Sequence, residues 1–412
     1  MSIKHISRSL IILICLLGAS FYFYETILET VPAAMINGIM RSFHINAAKA
    51  GIFDTCYFVT YAIMQIPGGA LLDKFGARKI MPLAAISCFI GLSLFGLTHD
   101  YYLGLLGRFI AGLGGTFGLM GAMFIVSSWV PKNRLAVALG LTITIGLSGG
   151  LLQGPLVNFV HQTSWRHVTL FLALVALLLA LIMIIILRDN PLRKTEKIII
   201  KDIIHVIRSK QNWWIGLFGG LLYIPTGTLA SLWGANYFHA YFPHITLSTA
   251  ASMNSMIFLG WIVGSPVAGI LSDSIQRRKL LLGCSGFLCA IILMIMGQMQ
   301  NITVPMMFFL SFLVGLSSSF SGLTFVMGVE RNPASSGTAI GFINMLAIIP
   351  TIIVSPIFGW ILDHNWQGHH HHGARIFMLS TYQQAMKLEY GLIFIAFLIA
   401  MFLIKESYSK KT

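Results

Sequence analysis

The sequence predicts an all-α membrane protein whose twelve transmembrane helices form two pseudo-symmetric six-helix bundles. Three observations predict it. Of the 412 residues, 56% are hydrophobic and only 10% are charged, with a mean hydropathy of +0.81, whereas a soluble domain carries about 25% charged residues. Apolar runs that meet the bilayer requirement of about 20 residues recur along the whole chain. The two halves also repeat: GALLDKFGARK, Gly69 to Lys79, is matched by GILSDSIQRRK, Gly269 to Lys279. Gly140 and Pro155 return as Gly341 and Pro356 with nearly the same offset, the mark of an internal duplication.

Taken in order, the apolar runs place spans near Leu10–Ile36, Ala50–Leu72, Ile80–Leu97, Tyr101–Val130, Ala136–Val157 and Val168–Leu187. The first begins like a signal peptide, but its apolar run continues too far for one. After the charged break RDNPLRKTEKIIIKDIIHVIRSKQN come Trp213–Tyr237, Ser248–Leu271, Leu280–Met299, Val304–Gly328, Thr338–Ile361 and Tyr390–Ile404. The organisation expected is an amino-terminal bundle over 1–187, a cytoplasmic central loop over 188–212 and a carboxyl-terminal bundle over 213–412.

The formal charge of +14 does not point to nucleic acid, because the basic residues sit in short loops between apolar runs. With the amino terminus inside, the inner loops hold Lys74, Arg78, Lys79, Lys132, Arg134, Arg277, Arg278, Lys279 and Arg331. The outer ones hold only Arg41, Lys49, Arg166, Arg375 and Lys387. This bias predicts a multi-pass protein of a bacterial inner membrane with both termini cytoplasmic. Cys15, Cys56, Cys88, Cys284 and Cys289 all lie inside apolar runs without metal-ligand spacing, which predicts packed free thiols. No GxxxxGK[ST] loop or HExxH pair occurs, so ATP hydrolysis and zinc-dependent intramembrane hydrolase chemistry have no support and no cofactor is expected.

Charges inside the spans are the candidate functional residues, because an ionisable group in hydrocarbon is costly unless compensated or used. Glu25 and Glu29 lie one helical turn apart in the first span, Asp54 near the outer end of the second, and Arg108 about 10 Å into the fourth at 1.5 Å per residue. One cation and up to three carboxylates thus share the outer half of the amino-terminal bundle, and Glu25 or Glu29 is expected to pair with Arg108. Burial favours the neutral form of a carboxyl and a neighbouring guanidinium the charged form, so such a pair suits proton coupling. Tyr57, Tyr61 and Gln65 follow Asp54 at helical spacing. Tyr223, Trp233, Asn236 and Tyr237 lie on the seventh span, Asn254 and Trp261 on the eighth, and Ser317, Ser318, Ser319 and Ser321 on the tenth. Pro225 and Gly227 can bend the helix beside Tyr223. The run His369, His370, His371 and His372 falls in the last outer loop and reads as a solvated tract rather than a metal site.

GALLDKFGARK resembles the signature loop between helices 2 and 3 of the major facilitator superfamily, and GILSDSIQRRK its degenerate copy between helices 8 and 9. RFIAGLG, Arg108 to Gly114, resembles the same superfamily's helix-4 motif. The resemblance covers essentially the whole chain. It implies secondary transport by alternating access, with Gly69, Asp73, Gly76, Arg78 and Lys79, and in the repeat Gly269, Asp273, Arg277 and Arg278, acting as gating loops. Tyr24–Glu25, Leu232–Gly234 and GTAIGFINM, Gly337 to Met345, further resemble a bacterial branch of uptake permeases that includes amino-acid transporters. Many relatives carry an arginine where this chain has Glu29. The expectation is proton-coupled uptake of a small polar organic solute, an amino acid or small carboxylate, by a monomer in the lipid bilayer. Proton-driven export of a drug or siderophore is the alternative, and a transport-inactive receptor or scaffold is a third reading of another class. Gly150 with Gly154–Pro155 matches the exporters' antiporter motif only in part, because LVNF follows the proline.

Overall fold

The computed structural model describes residues 7–190, 200–368, 370–371 and 374–407. Among the described residues, twelve helices are long and apolar enough to cross a membrane: α1 (Arg8–Ser42), α2 (Ala47–Phe75), α3 (Ala77–Leu97), α4 (Tyr101–Trp129), α5 (Val137–Gln162), α6 (Trp165–Ile186), α7 (Lys210–Tyr241), α8 (Leu247–Ile275), α9 (Arg278–Gln298), α10 (Val304–Arg331), α11 (Gly337–His364) and α12 (Leu379–Phe402). A short amphipathic helix, Ile200–Arg208, precedes α7. The extended structure among the described residues is one antiparallel pairing of His370–His371 with Ala374–Arg375.

Several helices begin on a polar side-chain cap ahead of their apolar cores. Asn46 accepts from the Lys49 amide at 3.0 Å and starts α2, and Asp100 does the same for α4 through Leu103 at 2.9 Å. The largest departure from the sequence reading is α12, which starts at Leu379 rather than near Tyr390. Its first turns, LSTYQQAMKLE, are too polar to register as a span, yet Tyr382, Met386 and Glu389 face the interior.

Twelve alternating spans put both chain ends on one face, called here the terminal face; it also carries the Gly76 and Gln276 turns. Gly76 has φ +78°, a conformation natural only to glycine, and it lets α3 begin directly where α2 ends. Its repeat counterpart Gln276 is left-handed at φ 58°. Asp189, just after α6, accepts from the Arg78 amide at 3.0 Å and caps α3. In the second half Glu406, just after α12, accepts from the Arg278 and Lys279 amides at 3.2 and 3.0 Å and caps α9. Both acids escaped the sequence reading. A Cβ on Gly69 would meet nothing within 4 Å, and the same holds for Gly269, so neither glycine marks a close helix approach.

The close approaches lie elsewhere. A Cβ on Gly91 would sit 2.4 Å from the Ala111 amide, which joins α3 to α4 backbone to backbone. α5 and α8 meet where Gly150 faces the Phe258 ring and Gly154 faces Ser252. The GLLQGP segment is therefore a packing face, as small residues between membrane helices commonly are. Among the described residues, three spans contain 3-10 or π turns: α5 a 3-10 segment at Ser148–Leu152, α10 one at Ser319–Gly322, and α7 a π-helical stretch, Pro225–Trp233.

Candidate functional site

The site is built around α4. Its glycines at 112, 115 and 118 leave a groove: Cβ atoms there would lie 2.1 Å from Thr60 Oγ1, 2.2 Å from the Tyr57 hydroxyl and 2.6 Å from Glu25 Cβ. The groove admits Tyr57 of α2 and Glu25 of α1 to the same place, where the Tyr57 hydroxyl donates to Glu25 Oε1 at 3.2 Å. The glycines that follow Arg108 in the sequence thus make room for its neighbours.

The expected ion pair between Arg108 and Glu25 or Glu29 is not formed. Arg108 meets Asp54, with Nη2 3.8 Å from Oδ1, and donates from Nε to the Phe53 carbonyl at 3.4 Å. Its guanidinium lies 4.8 Å from the centre of the Tyr57 ring, within cation–π range. Depth along the helices was legible in the sequence; the facing side was not. Asp54 lies one turn before Tyr57 on the side of α2 that packs on α4, so its short side chain reaches Arg108 first. Glu25 is engaged by Tyr57. Glu29 points to the other six helices and accepts a hydrogen bond from the Tyr223 hydroxyl of α7.

Glu25, Asp54 and Arg108 are each 1–2% exposed and Glu29 is 9% exposed. Asp54 Oδ2 accepts from Ser355 Oγ of α11 at 3.3 Å, a partner that the sequence reading missed. Arg108 Nη2 and Asp54 Oδ1 make no hydrogen bond. Both residues border a small cavity whose other walls are largely apolar, including Met35, Phe53, Phe95 and Leu172. The cavity holds about 20 Å³, room for about one water, and the guanidinium nitrogen and carboxylate oxygen that lack hydrogen bonds border it.

Tyr223 is held in place from its own side. Trp261 of α8 stands edge-on to its ring, with centroids 5.9 Å apart, and donates Nε1 to Thr226 Oγ1 at 2.9 Å. The π-helical stretch frees backbone carbonyls, which polar side chains satisfy. Gln153 of α5 donates to the Ala230 carbonyl at 2.8 Å, and Asn254 of α8 donates to the same carbonyl at 2.9 Å and to Gln153 Oε1 at 2.7 Å. Distortions of this kind concentrate at functional positions.

The other predicted residues divide. Asn236 exchanges side-chain hydrogen bonds with Asn37 of α1 at 3.2 and 3.1 Å. Trp233 is fully buried, stacks on Phe358 and leaves its Nε1 without an acceptor. Tyr61 lines α2 one turn beyond Tyr57, and Gln65 accepts from Asn344 of α11 at 2.8 Å. In the loops, Arg78, Lys79, Asp273 and Arg277 are exposed, while Arg278 is buried and pairs with Glu330 at 2.9 Å. His369 and His372 lie outside the described residues, and no group of three potential metal ligands gathers among those described. The five cysteines are free; Cys88 and Cys289 are buried as expected, whereas Cys284 is exposed on the helix surface.

The sequence matches the family profile of the Major Facilitator Superfamily over residues 10–345 and 226–412. It is 21% identical over 257 residues to the probable sulfoacetate transporter SauU of Cupriavidus necator, an alignment spanning 58% of this chain and 60% of that one. It is 24% identical over 387 residues to the lysosomal dipeptide transporter MFSD1 of Homo sapiens, spanning 86% of this chain and 79% of that one. The fold superposes on a crystal structure of a D-xylose-proton symporter with a TM-score of 0.75 at 16% identity, covering 98% of this chain and 100% of the other.

Proposed function

Because the chain belongs to the Major Facilitator Superfamily, a superfamily of membrane transporters of small solutes, we propose that it is a proton-coupled uptake transporter of a bacterial inner membrane. Its solute is a small polar organic molecule, an amino acid or small carboxylate. Residues 1–187 and 213–412 form the two halves, 188–212 is the cytoplasmic connection, and the terminal face is cytoplasmic. The halves rock about a site between them.

The observation that carries the proposal is the contact of Glu29 with Tyr223. A buried acid on one half is satisfied by a neutral hydroxyl on the other. When the halves part, Glu29 loses that donor and takes another, a proton or a solute group; a buried acid left without one is costly. Binding of solute and binding of a proton are then linked in free energy through one conformational change. Glu25 lies one turn away, with its own hydroxyl donor in Tyr57. Arg108, already seated against Asp54, offers its unbonded Nη2 to the anionic end of the solute. The similarity to MFSD1 and to the symporter supports solute transport on this fold.

The test is uptake into proteoliposomes loaded with an alkaline interior, using a radiolabelled panel of amino acids and short carboxylates. Accumulation of at least one solute that collapses with a protonophore is expected. Uptake indifferent to the pH gradient would reject proton coupling, and transport of none of the panel would reject the solute class.

A further inference from the structure

We infer that Asp363 is a gate residue of the face opposite the terminal face: it latches α2 to α11 while that face is shut and releases it when the face opens. The inference rests on the alternating-access reading above. Asp363 lies in the last turn of α11, where a negative charge opposes the dipole of its own helix. Its side chain is only 11% exposed. Such a residue needs a partner elsewhere, and the partner is another helix. Oδ1 accepts from the Ala47 amide at 3.1 Å and Oδ2 from the Ala48 amide at 2.8 Å. These are first-turn amides of α2, which have no acceptor within their own helix. The adjoining cap residue Asn46 serves Lys49 instead. One helix start is therefore capped jointly by its own neighbour and by a carboxylate from the other half of the chain.

The contact requires the two helix ends to touch. One turn before Asp363, a Cβ on Gly359 would lie 2.4 Å from the Ala47 carbonyl oxygen, and a Cβ on Gly51 would lie 2.8 Å from the Ser355 carbonyl oxygen. With no side chain in between, a modest separation of α2 from α11 removes both hydrogen bonds together. The charge itself is not stranded by that separation. Arg375 donates to Asp363 Oδ1 at 2.8 Å, its guanidinium lies 4.4 Å from the centre of the Trp366 ring, and its backbone pairs with His370. Arg375 belongs to the segment that follows α11, so the ion pair travels with Asp363 and only neutral amides are given up to water. A device that trades amides for water at a solvent-facing helix end can close and open repeatedly. A split ion pair would leave a bare charge behind.

The experiment places spin labels on the exposed loops of the two halves, as His44→Cys and His244→Cys, in a background with the five native cysteines replaced by serine, and reads their separation in lipid nanodiscs. Asp363→Ala is expected to raise the ratio of long to short separations at least about tenfold, since two charge-assisted hydrogen bonds are lost. Asp363→Asn, which keeps one acceptor, is expected to fall between. Arg375→Gln, which leaves both amide contacts in place, is expected to shift the ratio less than either. A lower melting temperature with an unchanged distance distribution in Asp363→Ala would make the residue merely structural and overturn the latch. If Asp363→Ala does not fold, Asp363→Asn decides by the same criterion. The readout needs no solute, so failure to find transport would sink the transporter reading without touching this result.

Discussion

Replacing Tyr223 by phenylalanine removes one hydroxyl and leaves the ring, which keeps its edge-on contact with Trp261. The hydroxyl is the donor that Glu29 receives from the other half. A hydrogen bond between neutral groups contributes about 0.5–1.5 kcal/mol and one to a charged group about 1.5–3 kcal/mol. At 1.4 kcal/mol per factor of ten, the joined arrangement of the halves loses roughly twofold to more than a hundredfold in population, depending on the charge of Glu29. A double-mutant cycle with Glu29→Ala, which removes the acceptor, read as solute affinity in proteoliposomes, isolates the pair. Repeated across pH, the coupling energy should fall from the upper range to the lower as Glu29 takes up a proton. In transport, gradient-free counterflow should persist in Tyr223→Phe while proton-driven accumulation drops at least about fivefold, the low end of a coupling of 1–3 kcal/mol. Parent-like accumulation together with an additive cycle would refute the reasoning, because the contact would then be structural packing only.

Three further outcomes follow from the same geometry. Asp54→Asn leaves Arg108 buried opposite a neutral amide and should cost about 3–5 kcal/mol, the usual price of breaking a buried pair; thermal unfolding in detergent checks it, and Ser355→Ala should cost about 1 kcal/mol in the same assay. Gly118→Val drives a branched side chain into Glu25, where even a Cβ comes within 2.6 Å; it should cost about 1–3 kcal/mol of stability and perturb coupling more than Gly69→Val, which meets open space, as side-by-side uptake will show. Asp189→Ala and Glu406→Ala each remove the cap of a third-position helix and should cost about 1 kcal/mol apiece, with hydrogen exchange at the first turns of α3 and α9 rising accordingly.

The architecture was legible because hydropathy and the repeated loop are strong, redundant signals. Where they were weak the reading slipped: the polar start of α12 hid Glu389, which is fully buried with no hydrogen bond to either carboxylate oxygen. The charged residues of the candidate site stand out in the sequence, because charges in a membrane span are rare. Their pairing does not. Whether Arg108 meets Asp54 or Glu29 depends on helix rotation and on the groove cut by Gly112, Gly115 and Gly118, and sequence spacing fixes position along a helix but not its orientation against a neighbour. Asp363 carried a usable signal, a carboxylate in the last turn of a helix, where the dipole disfavours it.

The distribution of charge explains how such an interface can move. Among the described residues, the ion pairs Asp54–Arg108, Arg278–Glu330 and Asp363–Arg375 each lie within one set of six helices or the loop that follows α11. Between the sets, the acids Glu29, Asp54 and Asp363 are met by neutral donors: the Tyr223 hydroxyl, the Ser355 hydroxyl and the Ala47 and Ala48 amides. Other bridges between the sets, among them Asn37 with Asn236, Gln65 with Asn344, Gln153 with Asn254, Thr55 with the Ile352 carbonyl and Ser248 with the Gly154 carbonyl, are neutral on both sides. Parting a buried ion pair strands two charges at several kcal/mol each, whereas parting a neutral donor from an acid costs one hydrogen bond that water can replace. On the alternating access proposed above, a transporter that separates its halves on every cycle is therefore expected to keep its counter-ions at home. It follows that converting one crossing contact into a true ion pair, as in Ser355→Lys opposite Asp54, should lock the halves together: counterflow and accumulation should fall in step while thermal stability holds or rises. Free exchange in that variant would show that the neutrality of the crossing contacts is incidental.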